Sequence, residues 1–150
     1  MDFTVLKKAI IDKSLQLLDE KYKAASAEMK EAAQAANEVG PPKDRYDPFR
    51  SQMARRQNMF MEQCRKILDD KEVLKRIDSS VAHNQVTLGS LVITTGHKVF
   101  FAISLGKVVV EGTEYFIASC ETPVFMNMQN KKAGESFEMN GIKFEILEVW

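Results

Sequence analysis

Apolar and charged positions recur with a helical period through the first half of the chain. Between residues 3 and 37 there is neither proline nor glycine, and the later part of this run is rich in alanine. Apolar residues at intervals of three, four or seven place one narrow stripe on a helix. The stripe consists of Phe3, Leu6, Ile10, Leu17 and Ala24. Because alanine favours helix and lets another helix approach closely, we predict a long helix that needs a partner.

A second helical pattern follows the interruption NEVGPPKDRYDPF. Gly40-Pro41-Pro42 ends the first helix, since proline lacks a donor and restricts the residue before it. Asp47 and Pro48 suit the cap and the first position of the next helix. Its apolar stripe consists of Phe49, Met53, Phe60, Cys64, Ile67, Leu74 and Ile77. The short connection predicts an antiparallel coiled-coil hairpin over residues 1–78, with its tip at about 39–47.

The second half of the chain changes to short β-rich runs after the polar linker DSSVAHN. The sequence Thr95-Gly96-His97 separates two runs, and Asn140-Gly141 is a strong hairpin signal. Thr122 and Pro123 suit the cap and first position of a short helix. Residues 79–150 therefore predict a small, bent antiparallel sheet domain with one short helix. The fold class predicted for the whole chain is α+β.

Composition and isolated reactive residues exclude several classes of protein. Among 150 residues, 21 are basic and 21 acidic, so net charge indicates no partner. No apolar run approaches the ~20 residues of a membrane helix, and a cytoplasmic location is expected. Cys64 and Cys120 predict free thiols. His83 and His97 fall in an expected linker and turn, with no nucleophile motif beside them, so no catalytic residue and no metal ligand is predicted.

A basic cluster lies near the predicted tip. It consists of Lys43, Arg45, Arg50, Arg55 and Arg56. Such a cluster is either a solvated outer face or a contact for a nucleic-acid backbone or a protein partner. The sequence leaves both interpretations open.

Four segments carry a resemblance to a known family. They are TPVFMNMQNKKAGE (122–135), NGIKFEILEV (140–149), VTLGSLVIT (86–94) and KRID (75–78). With a long helical hairpin in front of them, they resemble the bacterial GreA/GreB transcript-cleavage factors. Asn130 stands where that family usually has glycine, and Glu135 where it has aspartate.

The resemblance implies a partner and a docking surface. Such factors bind bacterial RNA polymerase through an FKBP-like C-terminal domain at the rim of the secondary channel, and their coiled coil enters that channel. The docking residues implied here lie on the short helix and its exit. They are Thr122, Pro123, Met126, Asn127 and Lys131. One of Met126 and Met128 is expected to fill the core instead.

The resemblance also defines what the tip should contain. In the family, two tip acids help to hold a catalytic magnesium of the polymerase, but Val39 and Pro42 occupy those positions here. The nearby acids are Glu38, Asp44 and Asp47. Asp47 is expected to cap the second helix and Glu38 to lie along the first, which leaves Asp44 available.

We therefore expect a Gre-like regulator that modulates elongation or cleavage and is not itself an enzyme. It should hold no cofactor of its own, sharing Mg²⁺ only within a polymerase complex. Contact with nascent RNA or DNA is compatible with the basic cluster, while a membrane or a small-molecule ligand is not expected.

Two other functions remain open. FKBP-like domains include prolyl isomerases, which need an aromatic pocket. Candidate rings are Phe100, Phe101, Tyr115, Phe116, Phe125 and Phe137. Alternatively, the alanine-rich hairpin serves as an adaptor or a holdase chaperone.

Overall fold

The computed structural model describes residues 2–38 and 48–150. Its helices are α1 (Phe3–Glu38), α2 (Pro48–Arg76) and α3 (Pro123–Met128). Its strands are β1 (Leu91–Thr94), β2 (Lys98–Phe101), β3 (Gly106–Val110), β4 (Thr113–Ala118), β5 (Ser136–Met139) and β6 (Ile142–Val149). The predicted α+β fold class, two long helices followed by a sheet with one short helix, is confirmed. The predicted tip lies outside the described residues.

Contacts divide the chain into two compact units. One unit is Gln16–Lys71, and the other combines Met1–Leu15 with Glu72–Trp150. The first turns of α1 and the last turn of α2 therefore belong to the same unit as the sheet.

Within the unit Gln16–Lys71, α1 and α2 run antiparallel as predicted. Arg56 Nη2 donates to Glu28 Oε2 at 2.6 Å, and Lys71 Nζ pairs with the carboxylate of Asp19. Residues later in α2 therefore pair with residues earlier in α1, as in an antiparallel helical hairpin. Both pairs are at least partly exposed, so each contributes at most about 1 kcal/mol.

The buried stripe of α1 in this unit is shifted by one residue from the predicted one. Leu18, Ala25 and Ala32 are buried at intervals of seven, whereas Leu17 is half-buried and Ala24 is exposed. The sequence has adjacent pairs, Leu17-Leu18 and Ala24-Ala25, so a spacing of seven fits either row. The prediction that Leu17 and Ala24 belong to the buried stripe is therefore wrong.

The six strands form one sheet in the order β3-β4-β2-β1-β6-β5. Neighbours are antiparallel except β2 and β4, which are parallel with Val99 opposite Phe116. The sheet is therefore mixed, not wholly antiparallel as predicted. The chain leaves β2, forms β3 at the sheet edge and returns as β4 between them. Such a crossover depends on pairing between distant segments, which local patterns do not show.

Two tight turns connect neighbouring antiparallel strands. Asn140 and Gly141 join β5 to β6 with φ angles of 54° and 78°, and Glu111 and Gly112 join β3 to β4 with 51° and 78°. Two successive positive φ angles define the type I′ turn, whose twist matches that of paired strands. The hairpin predicted at Asn140-Gly141 is confirmed.

Aromatic rings supply much of the core beside the sheet. Phe101 is fully buried and meets Phe125 of α3 edge-on, with ring centres 5.1 Å apart. Phe100 and Tyr115 are also buried, whereas Phe116 is 40% exposed. Most rings considered for an isomerase pocket therefore pack in the interior.

Two further expectations concern cysteines and membranes. Cys64 is buried and Cys120 half-buried, and both are free thiols as predicted. Across residues 2–38 and 48–150, no helix combines the length and apolarity needed to cross a membrane.

Candidate docking surface

Helix α3 begins as the sequence predicts. Thr122 Oγ1 accepts a hydrogen bond from the N–H of Phe125 at 3.4 Å and donates to Ser119 O at 2.8 Å. Pro123 occupies the first helical turn, where a missing N–H costs nothing. Thr122 therefore fixes the start of the helix, whatever partner the surface meets.

The two methionines of α3 have opposite environments. Met128 is fully buried with Phe125, whereas the side chain of Met126 is 66% exposed and Asn127 is also exposed. The expectation that one of the two methionines fills the core is confirmed, with Met128 as the buried one. An exposed, flexible thioether adapts its shape to a partner surface. Met126 thus gives α3 an apolar contact point facing solvent.

The exit from α3 is held by a strand-like pair of hydrogen bonds. The N–H of Asn130 donates to Val86 O at 3.0 Å, and Val86 N–H donates to Lys131 O at 2.8 Å. Asn130 adopts a left-handed backbone with φ of 64°. Asparagine is one of the few residues besides glycine that enter this region readily. The position where the resembled family has glycine is therefore one that needs a residue tolerant of positive φ.

A closed turn completes the loop before β5. The carboxylate of Glu135 accepts from the N–H of Lys132 at 2.7 Å, and Glu135 N–H donates to Lys132 O at 3.1 Å. Gly134, with φ of 91°, donates its N–H to Ile146 O at 2.7 Å. An acidic side chain at position 135 thus has a structural role in closing the turn.

Substitution of Asn130 tests the left-handed backbone. We expect Asn130→Val to lower the free energy of unfolding by about 1–2 kcal/mol, because a β-branched side chain is strained at positive φ. Asn130→Gly should leave it unchanged or slightly higher. Urea unfolding of each variant is the measurement. Gln129→Val is the control, because Gln129 has an extended backbone with φ of −51° and ψ of 130°; equal losses at both positions would contradict the prediction.

The predicted basic cluster is only partly described. Arg50, Arg55 and Arg56 lie on α2, and Arg55 is exposed. Arg56 pairs with Glu28 and lies 5.7 Å from the centre of the Phe60 ring, so it contributes to helix pairing. Glu38 is the last residue of α1. Lys43, Asp44, Arg45 and Asp47 lie outside the described residues, and their predicted roles stay predictions.

One buried lysine was not predicted from the sequence. Lys7 is 1% exposed, and its Nζ donates to Val81 O at 2.9 Å. Burial lowers the pKa of Lys7 to about 8, although the charge of Asp78 opposes this shift. The signal was present, because Lys7 lies four residues after Phe3 and three before Ile10 on the apolar stripe.

Lys7 lines a cavity of about 320 Å³ together with Phe3 and Trp150. The rings of Phe3 and Trp150 stack with centres 3.7 Å apart. Among the described residues, the buried Nε1 of Trp150 has no hydrogen-bond acceptor.

The two histidines differ in their exposure. His97 is exposed as expected, whereas His83 is half-buried and burial lowers its pKa. No group of three His, Cys, Asp or Glu side chains within residues 2–38 and 48–150 could hold a metal ion.

Comparison with known proteins gives low similarity. No protein-family model matches the chain, and no curated protein sequence matches it. Among solved structures, that of the transcription factor Gfh1 is 14% identical with a TM-score of 0.37, covering 91% of this chain and 93% of that one. GreA factor homolog 1 of Thermus thermophilus is 14% identical with a TM-score of 0.35, covering 91% and 94%. Thermus aquaticus Gfh1 is 17% identical with a TM-score of 0.33, covering 92% and 94%. Similarity at this level does not assign the chain to a family.

Proposed function

We propose that this chain is a Gre-like transcription regulator that binds bacterial RNA polymerase at the secondary channel. The observation that carries the proposal is the structural role of the segment 122–135. Thr122 caps α3, Asn130 takes the left-handed backbone, and Glu135 closes a turn. The spacing that resembles the family therefore coincides with the positions where the fold demands particular residue types.

The order of the elements also supports this function. A helical hairpin precedes a sheet with one short helix, and the resembled family has the same order along the chain. The C-terminal domain of that family is FKBP-like. The hydrogen-bonded exit of α3 occurs where that family carries its docking segment. A polymerase partner would place the protein in the cytoplasm.

The proposed docking surface is the exposed side of α3. Pro123, Met126 and Asn127 are exposed there, and Lys131 is half-buried beyond the helix. Thr122 supports this surface through the cap. An exposed apolar side chain surrounded by polar groups is a typical centre for a protein contact.

The proposed activity is modulation or blocking of the channel, not catalysis by the chain itself. Val39 and Pro42 have no side-chain oxygen with which to hold magnesium, an ion that prefers oxygen ligands. Asp44 is the candidate for a replacement acid, so Mg²⁺ would be shared only within the polymerase complex. Lys43, Arg45, Arg50 and Arg55 are candidates for contact with nucleic acid or polymerase loops.

Binding to the polymerase tests the docking surface. We expect Met126→Asp to weaken binding at least tenfold, because a buried carboxylate would replace an apolar contact. Biolayer interferometry with the cognate core enzyme gives the affinity. Ile142→Asp is the control, since Ile142 is a similarly exposed apolar residue of the same unit. Equal effects of the two variants, or no binding by the wild type, would refute the proposed surface.

RNA cleavage in a stalled, backtracked elongation complex tests the activity. The protein is added alone and in competition with a cleavage-stimulating Gre factor. Suppression of that factor's cleavage, without cleavage by this protein, is the expected result for a channel competitor. Cleavage that disappears in Asp44→Ala would show instead that the tip supplies an acid. A proline-peptide isomerisation assay and an aggregation-suppression assay on the same preparation test the isomerase and chaperone alternatives.

A further inference from the structure

The cavity of about 320 Å³ that Lys7 lines lies within the unit that combines Met1–Leu15 with Glu72–Trp150. Its walls come from the start of α1, from the linker between α2 and β1, and from Trp150. The volume lies at the small end of the ~300–1,000 Å³ that is typical of ligand pockets. No residue of the proposed polymerase docking surface lines this cavity.

The ammonium group of Lys7 has no carboxylate partner at this cavity. Lys7 is 1% exposed, and its Nζ donates one hydrogen bond, to Val81 O at 2.9 Å. The charge of Asp78 acts on Lys7, but within residues 2–38 and 48–150 Lys7 forms no ion pair. An ammonium group has three N–H donors, so two of them have no acceptor in the described part of the chain. Buried charges are normally paired, so this one lacks an anionic acceptor.

A second donor without an acceptor belongs to the same wall. Trp150 stacks on Phe3 with ring centres 3.7 Å apart, and its buried Nε1 has no acceptor among the described residues. Most buried polar atoms have a hydrogen-bond partner, either in the protein or in a molecule beside it. Lys7 and Trp150 come from distant parts of the sequence, so their unsatisfied donors are two independent observations.

The rest of the wall supplies apolar surface. Among the described lining residues, Asp2 has the one carboxylate, and its Oδ1 already accepts the N–H of Thr4 at 2.9 Å. Val81 is 46% exposed, and Ala82 is also exposed. The cavity therefore combines N–H donors with apolar side chains, and it suits a ligand that supplies acceptors.

We propose that this cavity binds a small organic carboxylate. A carboxylate only accepts hydrogen bonds and has about four lone-pair sites, so it can serve both Lys7 and Trp150. Its bond with the ammonium group is charge-assisted, which makes it stronger than a bond between neutral groups. The apolar body of the acid packs against Phe3 and Val81. The inference does not depend on polymerase binding, because every group involved belongs to one unit.

Two sources of this chemistry are a free organic acid and the carboxylate at the end of a short peptide. Both offer two acceptor oxygens next to an apolar group. The ligand arms of the experiment distinguish them.

Titration of the full chain with benzoate, followed by calorimetry and amide NMR shifts, tests the proposal. The expected result is saturable binding with a dissociation constant of about 1 mM, since a ligand of this size has few atoms with which to gain affinity. Shift changes are expected at positions 7, 81 and 150. Lys7→Met should weaken binding at least tenfold, because the charged donor is lost.

A second variant tests the indole N–H separately from the ring. Trp150→Phe keeps an aromatic ring beside Phe3 but removes Nε1, and it should weaken binding about tenfold. Lys8→Met is the matched control, because Lys8 is an exposed lysine of the same turn that does not line the cavity. This control should leave the affinity unchanged.

The pH dependence of binding tests whether the Lys7 ammonium is the anion's partner. Burial lowers the pKa of Lys7 to about 8, so the affinity for benzoate should fall as the pH rises above 8. Other titratable groups near Lys7 are Asp2 on α1 and Asp78 and His83 in the linker. In Lys7→Met the affinity that remains should not change above pH 8, which separates Lys7 from those three groups.

The ligand arms identify the source and can overturn the proposal. Benzyl alcohol, which has no charge, and benzylamine, which has the opposite charge, should each bind at least tenfold more weakly than benzoate. A tetrapeptide with a free terminal carboxylate that binds more tightly than benzoate indicates a peptide end as the source, and the reverse indicates a free acid. Absence of saturable binding at about 10 mM benzoate, tenfold above the expected dissociation constant, overturns the proposal. Equal binding by the wild type and Lys7→Met also overturns it.

Discussion

Replacing Phe101 with alanine should lower the free energy of unfolding by about 3–5 kcal/mol, which is the usual cost of truncating a buried phenylalanine. Phe101 is fully buried, and its ring packs edge-on against Phe125. Its backbone N–H donates to Ser90 O at 3.1 Å, and its carbonyl accepts from Gly89 at 2.7 Å. Removal of the ring would therefore leave a cavity at a point where the backbone cannot readily collapse.

Urea unfolding followed by circular dichroism measures this loss. Phe116→Ala is the matched control, because Phe116 lies on the adjacent strand β4 but is 40% exposed, and we expect a cost of about 1 kcal/mol. Phe101→Leu keeps most of the buried volume and should fall between the two. A cost for Phe101→Ala no larger than that for Phe116→Ala would show that the ring does not anchor α3 to the sheet.

Replacing Lys7 with methionine should make stability less dependent on pH. The pKa of Lys7 falls from 10.5 to about 8 on burial, so between these values the unfolded chain holds a proton that the folded chain has lost. The free energy of unfolding therefore rises with pH across this window. The increase that is due to Lys7 is complete near pH 10.5. Below about pH 8 the folded protein carries the buried ammonium, at a cost of roughly 3 kcal/mol.

Methionine removes the charge but also the hydrogen bond to Val81 O, whose net value is about 1 kcal/mol. We expect Lys7→Met to be more stable than the wild type by about 1–2 kcal/mol at pH 7. The difference should shrink above pH 8 and reverse near pH 10.5. Guanidinium unfolding at pH 7, 8.5 and 10 gives the comparison, with Lys8→Met controlling for loss of a lysine from the same turn. A difference in the free energy of unfolding that does not change with pH would show that folding does not lower the pKa of Lys7.

Features encoded by neighbouring residues were predicted correctly. The Thr122-Pro123 helix start and the Asn140-Gly141 hairpin depend on side-chain oxygens and backbone angles within a few residues. The long helices followed from the absence of helix breakers and the apolar spacing. Such signals act locally, so one sequence suffices to show them.

Features decided by distant partners were not predicted. Leu17 and Leu18 fit the helical period equally well, and only packing within the hairpin determines that Leu18 is buried. The parallel pairing of β2 with β4 places Val99 opposite Phe116, although the two strands are separated by the whole of β3. Neither choice is visible in the spacing of residues along one element.

The candidate sites also differ in whether local sequence predicts them. The sequence predicts that one of Met126 and Met128 is buried, because an amphipathic short helix must bury one of them. It does not show that the buried residue is Met128. The cavity that Lys7 and Trp150 line was not predicted, since the two residues come from opposite ends of the sequence. Only the fold brings these two residues together.

The stacking of Trp150 on Phe3 provides the protein with its own optical reporter. Trp150 is the single tryptophan among 150 residues, so indole emission comes from one place. Its ring contacts the first turn of α1 while its backbone pairs with Leu91 at 2.8 and 2.9 Å. Separation of that turn from the end of the sheet would expose the indole to water and shift its emission to longer wavelength. Stopped-flow fluorescence can therefore follow the assembly of this part of the molecule without an attached dye.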